Sequence, residues 1–311
     1  VRSTCYVTTK VYMRASELLY LTMKSCKKAT IIIVIFKKSI IMESELVRIG
    51  AFLCSRFKNK HTQKYAPGGR VAALFKEILQ KIMFRKSFEK KLALRVREFF
   101  ASHPDVRLIA VTGSAGKTSA KTAIATVLSQ QFAVAMHEAE PHSQAQTLLQ
   151  IMGVRYPEKP EEKWGFWARH KMMRAVKKRA RAEKPEAQII VQEFSPPDVG
   201  FMQQFQSILL PDLTVVTSVT EGRMRVEHGV EQIAQELLTL ANNSRFAVIN
   251  RDDIDGRFAA FLRNPQLTTY GTSGVAEYFF DESSFTLDQG RSGKMVGPEY
   301  PEGIPVVMQL L

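Results

Sequence analysis

The stretch Arg107–Leu128, RLIAVTGSAGKTSAKTAIATVL, joins an apolar run to a helix-like segment through a turn that holds two glycines and a lysine. A strand ending at Thr112, a turn, and a helix beginning near Lys117 aim backbone N–H groups and the positive end of a helix dipole at one spot. This predicts an anion site built from Gly113, Ser114, Ala115, Gly116, Lys117, Thr118 and Ser119. The usual Walker spacing, G-x-x-x-x-G-K-[ST], demands glycine where Val111 stands; the pattern present is G-x-x-G-K-T, from Gly113 to Thr118. The chemistry tolerates the shorter turn. The glycines let backbone approach phosphate oxygens, Lys117 supplies a point charge, and the Thr118 hydroxyl can ligate Mg²⁺.

Working outward, apolar runs at 108–111, 189–191, 213–216 and 246–249 read as buried parallel strands, each followed by a helical segment, and 267–274 adds a short strand. The alternation predicts an α/β fold, a mostly parallel sheet flanked by helices with a P-loop at one strand end. Its central domain is assigned to 106–275, and the turn-rich, strand-like text of 276–311 to a small β element. Upstream, Leu74, Ile78, Ile82, Phe84, Phe88, Leu92, Val96 and Phe99 recur at near-helical spacing, so 42–105 is read as a basic helical segment. Residues 161–184 form an inserted helix rich in Lys and Arg, whose Trp164, Phe166 and Trp167 are expected to pack on the domain.

Charge is distributed unevenly over the 311 residues. Residues 1–100 hold 22 Lys and Arg against 6 Asp and Glu, or +16, whereas the remainder carries −2. The basic leader reads either as solvated helix faces or as a weak contact with an anionic surface, lipid or nucleic acid. No stretch reaches the roughly 20 apolar residues of a membrane-spanning helix. The best, Ala29–Phe36, is flanked by lysines and followed by no small-residue cleavage site. All three cysteines, Cys5, Cys26 and Cys54, precede the loop, so the rest folds without disulfides, as suits the reducing cytoplasm. Met42 is a candidate internal start, and 1–41 is set aside as a leader that is non-native or poorly ordered.

The loop sequence resembles that of the Mur ligases, ATP-dependent ligases of peptidoglycan precursor synthesis, and most of all the branch that adds D-alanyl-D-alanine. The resemblance continues in order through IIVQEFSPPDVG (189–200), LPDLTVVTSVTEG (210–222), VEQIAQEL (230–237), FAVINRDD (246–253) and TYGTSG (269–274). It implies an ADP-forming amide ligase working through an acyl phosphate, with ATP and Mg²⁺ as cofactors. A UDP-linked muramoyl peptide and an amino acid or dipeptide amine would be its substrates. It also implies roles: Lys117 on the phosphates, Thr118 and Glu193 on the metal, Lys117 and Glu193 as catalytic residues, and Asn250, Asp252 and Asp253 at the nucleotide, the Asn pairing with an adenine edge. Folylpolyglutamate and cyanophycin synthetases share this kind of central domain and are the alternatives.

Departures from the family pattern are equally specific. The histidine of the second metal falls on Arg223 and the carbamylated lysine on Leu237, with Glu236 and His228 as conceivable substitutes. The family's acceptor segment is unrecognisable in residues 137–150, where His137 and His142 are read as surface histidines. The chain ends before the family's G-x-HN stretch, which implies a truncated product or a reduced relative. A nucleotide-binding module without ligation is therefore the rival reading.

Overall fold

The computed structural model describes residues 10–14, 18–25, 29–36, 68–220, 229–254, 256–286 and 290–308. The chain divides into two compact units, 1–82 and 83–311. In the first, β1 (Lys10–Arg14), β2 (Leu18–Ser25) and β3 (Ala29–Phe36) form an antiparallel sheet in that order. The apolar run at 29–36 is thus a strand paired along its length with β2. Among the described residues no helix is long and apolar enough to cross a membrane.

Helix α1 (Gly68–Ser102) belongs to the second unit from Met83 onward. There Phe88, Leu92, Val96 and Phe99 are all buried at spacings of one helical stripe. Burying each of them is worth about 1.5–3 kcal/mol, so this half of the expected basic segment is part of the α/β core. The stripe wins over the helix's own weak preference for either environment.

The second unit is built on a nine-stranded sheet of order β12-β11-β10-β9-β8-β7-β4-β6-β5. Its strands β4 (Arg107–Thr112), β5 (Val134–Met136), β6 (Ile189–Glu193), β7 (Leu213–Val216), β8 (Phe246–Asn250) and β9 (Leu267–Gly271) pair in parallel. β10 (Tyr278–Thr286) joins β9 in parallel, and β11 (Gly290–Gly297) and β12 (Tyr300–Met308) close an antiparallel meander. The C-terminal β element therefore extends the central sheet. The expected strands are present; the short edge strand β5 is additional.

Both faces of the parallel part are covered. Leu108 and Ala110 of β4 face α1, α3 (Gln144–Ile151) and α4 (Phe166–Ala180), while Ile109 and Val111 face α2 (Lys117–Leu128). α5 (Phe201–Gln206) and α6 (Val230–Asn243) pack against each other, and α7 (Gly256–Ala259) follows β8. This two-sided burial explains the continuous apolar strand runs. It also makes β4, between β6 and β7, the place where the sheet order reverses, so the crevice at its carboxyl end is where ligands gather in such sheets.

The inserted helical region is shorter than expected. A single 3-10 turn at Glu161–Lys163 precedes α4, and only Trp164 packs inside, with its Nε1 donating to the Lys159 carbonyl at 2.9 Å. Phe166 and Trp167 stay 56 % and 79 % exposed. They open α4 on the side away from Met172, Val176 and Ala180, the residues that anchor it.

Candidate functional site

The turn between β4 and α2 is held by the segment that follows β7. The Ser114 amide donates to the Ser218 carbonyl at 3.0 Å, the Ala115 amide to Ser218 Oγ at 2.8 Å, and Ser114 Oγ to the Thr220 carbonyl at 2.9 Å. Thr217 Oγ1 also donates to the Ala115 carbonyl. Two loop amides are thereby committed to the protein. Those of Lys117, Thr118 and Ser119 open α2, where the first turn of a helix has no acceptor of its own.

The two glycines do different jobs. A Cβ on Gly113 would lie 2.1 Å from Thr217 Oγ1 and 2.9 Å from the Ser218 amide, so its missing side chain admits the β7 segment rather than a phosphate. A Cβ on Gly116 would meet Thr217 Cβ only at an ordinary 3.8 Å, but Gly116 caps α2 in the left-handed region, at φ 75°. Only a residue without Cβ takes that conformation cheaply.

Glu193, the last residue of β6, is 1 % exposed and sits against the start of α2. Its Oε2 accepts from Thr118 Oγ1 at 3.0 Å and from Lys121 Nζ at 3.0 Å, while Oε1 accepts from Ser195 Oγ at 3.4 Å. Lys121 is itself 1 % exposed, with a second bond to the Glu138 carbonyl at 3.2 Å. A buried carboxylate without a counter-charge would cost several kcal/mol, and Lys121 offsets that cost. The family motif directs attention to Lys117 and passes over Lys121. Its signal in the sequence is a lysine on the stripe of α2 that also carries Ala125 and Leu128.

These groups line a cavity of about 520 Å³. Residues 113–119 and Glu193 form one side, joined by Ser195, Pro196, Pro197, Glu140, His142, Ile233 and Leu237. Glu140 and His142 come from the stretch in which the family's acceptor segment is unrecognisable. His142 is exposed, but into this cavity. His137 is half-buried and stacked on Tyr156, with ring centroids 5.9 Å apart; burial and then Lys121 hold its pKa below the ordinary value.

The donor set suits a polyphosphate and a single hard cation. Loop amides and Lys117 match the anion. The Thr118 hydroxyl and the Glu193 carboxylate could hold one Mg²⁺, a cation that usually keeps most of its shell as water and phosphate oxygen. Among the described residues no three His, Cys, Asp or Glu side chains converge for a metal held by protein alone.

The remaining expected site residues lie elsewhere. Asn250, Asp252 and Asp253 are absent from the cavity lining. Asn250 Nδ2 donates to the Thr217 carbonyl at 3.0 Å and its Oδ1 accepts the Asp252 amide at 3.1 Å, so it ties β8 to the residue that braces the loop. Asp252 Oδ2 accepts the Thr272 amide at 2.8 Å. Burial, followed by the charges of Asp253 and Asp252, pushes the neighbouring Tyr270 phenol up to about 12.

Leu237 presents an apolar wall to the cavity. Glu236 does not substitute for a carbamate there, because its carboxylate accepts the amides of Gly200 at 2.7 Å and Met202 at 2.6 Å and so caps α5. Arg223 and His228 fall outside the described residues.

A glycine-bearing strand–turn–helix, a buried strand-end carboxylate and a crevice at the point where sheet order reverses place this unit in the class of parallel α/β domains whose ligands gather at the carboxyl ends of the strands. The family described as the Mur ligase middle domain matches residues 111–302, more than half of the chain, and the chain belongs to that family. Its fold is that of MurF from Acinetobacter baumannii, at 13% identity and TM-score 0.55 over 73% of this chain and 42% of that one. The MurF ligase from Thermotoga maritima in complex with ADP matches at 16% identity and TM-score 0.50, over 71% of this chain and 44% of its own. The chain thus spans less than half the length of these solved relatives. No curated protein matches it in sequence.

Proposed function

We propose that this chain binds ATP with one Mg²⁺ in the cavity below β4 and serves an ADP-forming, Mur-type amide ligase of peptidoglycan precursor synthesis, in the cytoplasm. The observation that carries the reading is the convergence of the 113–119 turn, Thr118 and the Lys121–Glu193 pair on one crevice. In that reaction a carboxylate oxygen of the acyl substrate takes the γ-phosphoryl group, ADP leaves, and the resulting acyl phosphate is attacked by an amine, which displaces phosphate and loses a proton.

Lys117 and the α2 amides neutralise and orient the phosphates, so that charge developing on the transferred group meets fixed donors. Magnesium, when bound, adds positive charge across the phosphates. Thr118 and Glu193 would hold it, and Lys121 neutralises and positions the Glu193 carboxylate. Asn250, Asp252 and Asp253 would meet the nucleotide from outside the phosphate cavity, Asn250 bracing the loop through the Thr217 carbonyl. The acyl substrate is a UDP-linked muramoyl peptide, and the amine an amino acid or dipeptide.

Isothermal titration with ATP in magnesium buffer tests the first half: saturable binding that Lys117→Ala abolishes is expected, and no binding by the folded parent refutes it. The second half is tested by phosphate release from a full-length version, expected only when both the muramoyl peptide and the amine are present. A nucleotide-binding module without ligation is the second reading, favoured by the apolar Leu237 wall and the engaged Glu236. Nucleotide-dependent binding with no phosphate release under any substrate pair would decide for it.

A further inference from the structure

The outer face of α4 carries a charge pattern that the nucleotide cavity does not use. Residues 166–181 include seven Lys or Arg and no Asp or Glu. Two of these cations are paired with carboxylates, the buried Arg169 with Glu161 at 3.8 Å and the half-exposed Arg179 with the surface residue Glu186 at 2.8 Å. Lys171, Arg174, Lys177, Lys178 and Arg181 are exposed. Lys171, Arg174, Lys178 and Arg181 follow Trp167 at helical spacing, so one stripe carries an aromatic head and a cationic tail.

At the head of this stripe the apolar surface is concentrated. Trp167 and Phe166 are 79 % and 56 % exposed, and Phe84 of α1 lies beside them at 45 %. Phe166 sits 5.9 Å from Phe84, 5.4 Å edge-on from Trp167 and 6.1 Å from His170, on which it stacks. Phe166 is flanked by Phe84, Trp167 and His170, so the rings cluster into one exposed apolar knob.

We propose that this face docks on an anionic phospholipid bilayer, with Trp167 and Phe166 entering the headgroup layer and the cationic stripe lying along the lipid phosphates. Indole is suited to that depth because one edge is apolar and the other donates a hydrogen bond. Basic side chains close to a negative bilayer add attraction that salt screens, and the two signals together suffice where either alone binds weakly. Charge complementarity therefore selects an acidic membrane, and the clustered rings select lipid over nucleic acid.

The test uses the whole chain and vesicles of phosphatidylcholine with or without phosphatidylglycerol. Co-sedimentation is expected only with the acidic vesicles and should weaken about tenfold or more at high salt. Reversing the stripe, with Lys171→Glu, Arg174→Glu and Lys178→Glu together, should reduce vesicle affinity about tenfold or more and leave ATP affinity unchanged. The chain has only two tryptophans, and Trp164 is buried. The spectral difference between the parent and Trp167→Phe therefore reports Trp167 alone. On vesicles that component should shift to the blue and be quenched by brominated lipid. The proposal is overturned if the reversed stripe binds vesicles as well as the parent does, or if the Trp167 component is unaffected by lipid. Preferential binding of a single-stranded oligonucleotide through the same residues, with vesicles ignored, also overturns it.

Discussion

Glu193 and Glu236 are buried carboxylates of the same α/β unit, 1 % and 5 % exposed, yet their desolvation is offset by different partners. Glu193 meets a full opposite charge, Lys121, and two hydroxyls, Thr118 on Oε2 and Ser195 on Oε1, and it lines the cavity. Glu236 meets only backbone amides at the start of α5, and both of its oxygens are used. Burial holds its pKa above the ordinary 4.5, and the bonds from Met202 and Gly200 pull part of that back. The carboxylate held by side chains stays in the cavity wall, whereas the one that caps a helix is spent on architecture.

Replacing Lys121 with Met should break this contrast most severely. It leaves Glu193 as a buried, unpaired charge, and a loss of about 3–5 kcal/mol in denaturant-unfolding stability is expected. Adding Glu193→Gln to that variant should recover a large part of the loss, since a neutral amide needs no counter-ion; no recovery would mean that Lys121 acts by packing alone. Gly113→Ala comes next. Its methyl group meets Thr217 Oγ1 and the Ser218 amide, and about 1–3 kcal/mol of destabilisation should accompany weakened ATP binding.

Glu236→Ala should cost about 1–2 kcal/mol in the same assay by stripping the cap from α5, with ATP affinity nearly intact. A large loss of nucleotide binding would place Glu236 in the site after all. The smallest effect is expected at a third carboxylate, Glu89, whose pKa is raised to about 7 by burial and then by Glu161, against the opposing charges of Arg85 and Arg169. A carboxyl that binds its proton more tightly when folded contributes stability below pH 4.5, and that contribution is lost as pH rises toward 7. Glu89→Gln should therefore gain on the order of 1 kcal/mol relative to the parent at pH 8 and nothing at pH 4, as read from thermal melts across that range.

Much of this architecture was legible because local pattern and global burial agree. The β4–α2 junction, the strands at 189–191, 213–216 and 246–249, and the buried stripe of α1 all follow from apolar periodicity and turn chemistry. Glu193 was legible through its place at a strand end next to the loop. Edge strand β5 was not, since three residues carry too little pattern, and neither was the outward placement of Trp167, because composition does not say which side of a helix faces the core. Lys121 was overlooked since its partner lies 72 residues away in sequence.

The sequence by itself determined the parallel α/β sheet, the glycine-bearing strand–turn–helix at Gly113–Ser119 and the family, because each rests on spacings of a few residues that fix backbone conformation locally. Only the tertiary structure decided that Lys121 neutralises Glu193, that Gly113 makes room for Thr217, and that Glu236 caps α5 while Leu237 lines the cavity. Those outcomes depend on which distant segments the closed sheet brings within 3 Å or so of one another, the range of a hydrogen bond, and local spacing carries no record of that.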